Sequence, residues 1–381
     1  MLANARDMGD AGTPAVTSAV GASAAATASS DFLVVFCGPH FGDGFAFTRE
    51  AAANLVDEEV HMRVEQLPTQ VIAGNEAVLA RARVLVPFMT PVDAAMLDAA
   101  PLVRLVIQFG VGLEGVDVHE CTRRGVHVSN IPAENTGNAA SCAEHAVYLA
   151  LALARKQRAM DESVARGLLG SPTGLALFGR TALIYGCGAL GEQVARRLAA
   201  FDMRVLAVRR SRWGCKGRRE GGEAGGGGAD ALPAGVSEGG SPEELGAFAA
   251  RADLVVLTCT QNESTRRLVD DAFLAKLKPG ALLINIARGG LVDYTAVSSA
   301  LDSGTLGGFG TDVFDTEPFP LPLSDAPHAA LLRHPRVVAT PHVAGVTDAS
   351  YRTMARVVVR EVQRVARGEP PTVRINEPRG A

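Results

Sequence analysis

Short apolar runs alternate along this chain with longer amphipathic stretches, and the alternation predicts most of its elements. The first run, Leu33-Val34-Val35-Phe36, follows Asp31 and ends at Cys37-Gly38-Pro39. Others lie at 83–88, 102–109 and 126–131, separated by Ala-rich helical stretches at 46–58 and 91–99. Apolar runs of strand length, punctuated by helices, imply a parallel sheet covered on both faces. A helical pattern then extends from about 138 to 158 without Pro or Gly, and loop chemistry takes over from Gly167 to Gly174.

A second alternating series starts at Thr181, with strands expected at 181–186, 203–208, 253–259, 281–287, 307–313 and 337–341. Ser241-Pro242-Glu243-Glu244 carries the N-cap, first-turn Pro and third-position Glu of a helix start. An amphipathic helix at 346–367 has no strand after it, which leaves it free to return to the first unit. The predicted fold class is α/β, with two Rossmann-like, doubly wound parallel-sheet domains and the second inserted in the first. Residues 31–155 with 343–381 form one domain, and 156–342 the other.

Two stretches fall outside this pattern. Residues 1–30, rich in Ala, Ser, Thr and Gly without hydrophobic period, are expected to be a disordered arm. Their single Arg6 stands beside Asp7 and Asp10, whereas organelle-import peptides are Arg-rich and poor in acids. The expectation is therefore cytoplasmic, with a plastid or mitochondrion as the alternative. Residues 214–240 contain eleven glycines and read as a tolerated surface insertion.

Composition narrows the function classes. Hydrophobic residues make up 47% of the 381 and charged residues 20%, a globular balance with room for two cores. The net charge of −4 and the scarcity of basic runs outside 204–219 give no reason to expect a nucleic-acid partner. No apolar run reaches the roughly 20 residues of a membrane span. Six cysteines stand without CxxC pairing or nearby His ligands, so reduced thiols are expected, and no metal site.

Candidate chemistry begins where strand 181–185 runs into Gly186-Cys187-Gly188-Ala189-Leu190-Gly191 and a helix follows. In that setting G-x-G-x-x-G provides a tight turn, a close backbone approach to a pyrophosphate, and close helix–strand packing. The helix N-terminus adds unpaired N–H groups and partial positive charge. At the end of the next strand, where an NAD-specific site has an acid for the ribose hydroxyls, this chain has Arg209-Arg210-Ser211-Arg212. A guanidinium cannot accept from the ribose, but its fork fits a phosphate. NADP is the preferred cofactor on this reading, with NAD as the alternative.

Three further segments place polar residues at strand ends: Asn285-Ile286-Ala287-Arg288-Gly289-Gly290, Asp312-Val313-Phe314-Asp315-Thr316-Glu317, and Thr340-Pro341-His342. In a parallel sheet the ligand crevice lies outside the carboxyl ends of the strands, so all three converge on it. Together with the glycine loop, these segments resemble the D-isomer-specific 2-hydroxyacid dehydrogenase family, over residues 31 to 370. The resemblance implies that Arg288 binds the keto oxygen and carboxylate of a small 2-keto acid. His342 would be the proton donor, and Glu317 would orient its imidazole and favour its charged form. Asp312 would meet the nicotinamide amide, Thr260 and Ala287 would complete the cofactor contacts, and Val111 and Gly112 of Gln108-Phe109-Gly110-Val111-Gly112 would hold the substrate carboxylate. A homodimer through the 138–158 region is also implied.

Thr258-Cys259-Thr260 departs from the His-x-Pro common in the family, which puts the cofactor contact there in doubt. Thr136-Gly137-Asn138 lies in a loop longer than usual on the path to the substrate. Glu144 and His145 look familial and are read as structural. Glu317, where formate dehydrogenases carry Gln, favours keto-acid chemistry. The expected activity is glyoxylate or hydroxypyruvate reduction to the D-2-hydroxy acid. A phosphoglycerate dehydrogenase-like enzyme is the first alternative; the chain ends about 40 residues after His342 and so is expected to lack the regulatory domain of its long forms. A nucleotide-sensing corepressor is the alternative from another class, to be told apart by negligible turnover of keto acids.

Overall fold

Two parallel sheets, each with its own apolar core, are joined by chain crossings at their carboxyl edges. The computed structural model describes residues 32–55, 60–211, 213, 231–317 and 328–378. The arm at 1–30, Arg212, and the run 214–230 lie outside these.

The first sheet consists of β1 (Phe32–Phe36), β2 (Met62–Gln66), β3 (Val84–Val86), β4 (Leu105–Gln108) and β5 (His127–Asn130), in the order β2-β1-β3-β4-β5. Helices α1 (Gly42–Ala53), α2 (Glu76–Leu79), α3 (Ala94–Ala99) and α4 (Val118–Arg123) connect them. Every residue of β1 and β3 is buried, as expected of parallel strands covered on both faces. β2 escaped the sequence reading because it is an edge strand in which only Val64 is buried.

Next come α5 (Asn138–Ala154) and α6 (Gln157–Ala165). The single helix expected over 138–158 is broken at Lys156, which adopts a left-handed backbone (φ 57°). α5 falls within the stretch expected to belong to the first domain. Its buried face, however, with Ala146, Leu149, Ala150 and Leu153, joins the core beneath the second sheet.

The second sheet has seven parallel strands: β6 (Thr181–Tyr185), β7 (Arg204–Val208), β8 (Glu238–Gly240), β9 (Leu254–Leu257), β10 (Ala281–Asn285), β11 (Leu306–Thr311) and β12 (Val337–Ala339). Helices α7 (Ala189–Ala199), α8 (Leu245–Ala249), α9 (Asp271–Leu274), α10 (Tyr294–Ser303) and α11 (Ala329–Arg333) alternate with them. The order β12-β11-β10-β9-β6-β7-β8 puts the topological switch between β6 and β9. β8 corrects the reading of 214–240 as one surface insertion. Its last residues pair with β7, and Glu238 bridges Arg204 (2.8 Å) and Arg251 (2.6 Å).

The last helix, α12 (Asp348–Ala366), returns to the first sheet as its pattern predicted. Tyr351, Met354, Val358, Val362 and Val365 pack against the core of β1, β3 and β4. Thr347 caps this helix by accepting from the Ser350 N–H, and its hydroxyl lies 2.8 Å from that of Ser141 on α5. Among the described residues, no helix is long and apolar enough to cross a membrane.

Candidate active site

Register aligns the chemistry. Tyr185 pairs with Leu257, Leu257 with Asn285, Asn285 with Thr311, and Thr311 with Ala339. The residues after them (Gly186, Thr258, Ile286, Asp312 and Thr340) therefore leave one edge of the sheet together, and the segments picked out in the sequence share that edge.

His342 and Glu317 form a close polar pair there, with Nδ1 2.6 Å from Oε2. The other carboxylate oxygen of Glu317 accepts from the Phe314 N–H at 2.7 Å, which fixes the acid relative to the strand end. His342 sits in a left-handed backbone (φ 56°), a conformation a histidine adopts at some cost. Asp312 holds it there. Its backbone carbonyl accepts from the His342 N–H at 2.8 Å. Its carboxylate accepts from Val343 N–H at 2.9 Å, Ala344 N–H at 2.8 Å and the Thr340 hydroxyl at 2.6 Å. Asp312 is 1% exposed, so the residue expected at the nicotinamide serves, as placed, to shape the turn that carries His342.

His145 completes this shell from α5, with Nε2 2.8 Å from the Thr340 hydroxyl. That hydroxyl gives its one hydrogen to Asp312, so His145 is the donor to it. Burial lowers the His145 pKa, and the Asp312 carboxylate opposes the shift. Glu144, on the outer face, pairs with Arg197 of α7 at 3.0 Å.

Arg288 comes off β10 in extended backbone. The side chain of Asn285 accepts from the Ala287 N–H and donates to the Arg288 carbonyl, which sets the exit angle. The guanidinium reaches the opposite sheet, where its Nε donates to Oε1 of Glu114 at 2.8 Å. A Cβ placed on Gly112 would collide with both the Arg288 guanidinium and the Glu114 carboxylate. The two groups thus lie directly over the loop expected to receive a substrate carboxylate. Val111 is exposed beside it, and its carbonyl accepts from Asn130 at 2.7 Å. Burial pushes the Glu114 carboxyl up, but the charges of Arg288 and His342 outweigh it and leave the pKa lowered. The sequence reading missed Glu114. Its one signal was an acid set between glycines and apolar residues (Gly112-Leu113-Glu114-Gly115).

The glycine loop has the shape that a dinucleotide requires. Gly186 has φ 104°, and a Cβ there would stand 2.5 Å from the Cys259 backbone. A Cβ on Gly191 would strike the Gly186 carbonyl, which accepts from the Thr258 hydroxyl at 2.6 Å. Nothing lies within 4 Å of a Cβ built on Gly188, the N-cap of α7, so the approach to the helix N-terminus is open where a pyrophosphate would sit. Ala189 and Leu190 form the first turn of that helix.

Arg209 follows β7 and donates to Ser211 at 2.6 and 2.9 Å, with its guanidinium 5.3 Å from the Trp213 ring centre. The charges of Arg209 and Arg210 reach Cys187 and Tyr185, so the basic corner borders the glycine loop. Arg212 is outside the described residues. Ala287 is buried, while Thr260 is exposed and its carbonyl accepts from Thr265 at 2.9 Å. Burial pushes the Cys187 thiol up to about 11 and that of Cys259 to about 12, which leaves both unreactive at neutral pH.

The sequence pattern of the D-isomer specific 2-hydroxyacid dehydrogenase NAD binding domain matches residues 147–223 and 230–344. This chain belongs to that family. It is 32% identical over 331 residues to the glyoxylate reductase of Thermococcus kodakarensis, covering 83% of this chain and 91% of the relative. It is 38% identical over 285 residues to the D-3-phosphoglycerate dehydrogenase of Mycobacterium tuberculosis, covering 74% of this chain but 48% of that protein. The chain thus spans about half the length of the phosphoglycerate dehydrogenases it matches. A crystal structure of a Thermus thermophilus protein superposes with a TM-score of 0.71 at 28% identity, over 91% of this chain and all of that one.

Proposed function

We propose that this chain reduces a small 2-keto acid to the D-2-hydroxy acid with NADPH in preference to NADH, and runs the reverse oxidation. The observation that carries the reading is the His342–Glu317 pair, set on the same strand-end edge as Arg288 and the glycine loop. When bound, the nicotinamide supplies or receives the hydride.

The chain's own residues do the rest. Arg288 offers a planar fork of donors to the carboxylate and keto oxygen of the substrate. Because Nδ1 of His342 is held by Glu317, its Nε2 is the nitrogen left to meet the carbonyl oxygen. In reduction Nε2–H gives its proton to that oxygen; in oxidation the neutral nitrogen takes the hydroxyl proton. Glu317 fixes the plane of the imidazole by the hydrogen bond to Nδ1. The open glycine turn and the N-terminus of α7 accept the pyrophosphate, and Arg209 and Arg210 stand where a 2′-phosphate would be read. The relatives' names favour glyoxylate as one acid to test, and the assignment of residues 31–155 with 343–381 to substrate and 156–342 to cofactor follows the same reading, except that α5 packs on the cofactor side.

We also infer a homodimer. Leu169, Val164 and Phe178 are 98%, 81% and 70% exposed on α6 and the loop after it, and Tyr148 of α5 is also exposed. Large apolar side chains left this exposed are candidates for burial in a subunit contact. Steady-state rates with NADPH and NADH against glyoxylate, hydroxypyruvate and phosphohydroxypyruvate test the activity, and light scattering after gel filtration tests the dimer. Negligible turnover with every acid would favour a nucleotide-sensing role instead.

A further inference from the structure

The wall beside His342 is aromatic. The Phe41 ring meets the imidazole edge-on with centres 6.0 Å apart, and stacks on Phe88 at 4.6 Å. Phe88 in turn packs on Phe109 at 5.0 Å, and Phe109 on Tyr351 of α12 at 5.2 Å. Phe109 and Tyr351 are buried, whereas Phe41 and Phe88 are only half-buried, so the cluster is rooted in the core and surfaces next to the proton donor. The position of Phe41 is set by its left-handed backbone (φ 56°) at the start of α1. That of Phe88 is set by the turn after β3, where the Thr90 hydroxyl donates to the Cys37 carbonyl.

Charge around the wall is one-sided. The loops that leave the carboxyl ends of the first sheet are 37–41, 67–75, 87–93, 109–117 and 131–137, and none contains a lysine or arginine. They do contain Glu114 and Glu134, besides the helix-capping Asp93 and Asp117. The Arg288 guanidinium over Gly112 comes from the opposite sheet, and it is already engaged by Glu114. A substrate with one carboxylate can displace Glu114 from Arg288. A second anionic group on the far side of the keto carbon would meet phenyl rings and carboxylates.

We propose that the Phe41–Phe88 wall is the side-chain subsite, and that it selects 2-keto acids bearing an apolar side chain over unsubstituted or phosphorylated ones. This rests on the keto-acid reductase reading and narrows its substrate. Each methylene buried against the rings contributes about a four-fold gain in kcat/KM.

The test is a substrate series on the full chain with saturating NADPH: glyoxylate, pyruvate, 2-oxobutanoate, 4-methyl-2-oxopentanoate, phenylpyruvate and phosphohydroxypyruvate. The expected result is a kcat/KM that climbs at least ten-fold from glyoxylate to the branched or aromatic acids, with phosphohydroxypyruvate at least ten-fold below them. Phe88→Ala should flatten the climb, and Phe88→Leu should keep most of it. Turnover of glyoxylate with a flat or falling series overturns the subsite alone, as does a preference for the phosphorylated acid. Turnover of no keto acid overturns the reductase reading, and this inference with it.

Discussion

The guanidinium of Arg288 is occupied from across the cleft by the carboxylate of Glu114, 2.8 Å from its Nε. An internal carboxylate sits on the cation that a substrate carboxylate needs. Both side chains are substantially exposed, at 35% and 58%, so their attraction is screened and contributes only about 0.2–1 kcal/mol. Glu114→Gln is therefore expected to lower KM for the keto acid by up to about 5-fold with kcat little changed. The Glu114 pKa is lowered, so its carboxylate is charged throughout the neutral range and competes there at every pH. The difference between wild type and variant should fade only as pH falls through that lowered value. A raised KM in the variant would show instead that Glu114 orients Arg288 for binding.

Removing the imidazole tests the proton step. His342→Ala is expected to lower kcat by roughly 10²–10⁴-fold while the cofactor still binds, as read by fluorescence titration. In Glu317→Gln the imidazole keeps a hydrogen-bond partner but loses the carboxylate that holds its Nδ1, and kcat is expected to fall with KM for the cofactor unchanged. An unchanged kcat would separate the pair's 2.6 Å contact from catalysis.

Cofactor choice is expected to reside in Arg209. One charge-assisted contact to a 2′-phosphate contributes roughly 1.5–3 kcal/mol, enough for about a 10–100-fold preference. Arg209→Asp should reverse the NADPH/NADH ratio of kcat/KM, and the wild-type preference should weaken with added salt. A wild-type enzyme that already prefers NADH would reduce the basic corner to its contacts with Ser211 and Trp213.

The glycine-rich stretch divides at about residue 231. Shortening 216–229 is expected to leave Tm and kcat nearly intact, since loop closure depends only weakly on length. Extending the deletion through Glu238 removes the β7–β8 pairing and the bridge from Arg204 to Arg251, and Tm should fall by several degrees. Equal Tm values for the two deletions would mean that β8 adds nothing to the sheet.

What the sequence disclosed follows from where information is local. Each candidate segment is a contiguous motif at the end of an apolar strand, so Arg288, Glu317, His342 and the glycine loop could be read in place. Contacts made across the fold left no such trace. Nothing adjacent to Asp312 indicates that its carboxylate receives the Val343 and Ala344 N–H groups. Phe41 and Phe88 look like ordinary core residues until the fold sets Phe41 beside His342 with Phe88 stacked on it. β2 was hidden because an edge strand with one buried side chain has no apolar run, and the helix break at Lys156 because a left-handed lysine has no sequence signature.

The two places where the chain passes between sheets lie side by side. A Cβ built on Gly137 would stand 3.7 Å from the Ser350 backbone, and Ser141 meets Thr347. The two crossings are therefore fastened to each other by the Ser141–Thr347 hydroxyl contact, so a displacement of one strand of the seam is shared by the other.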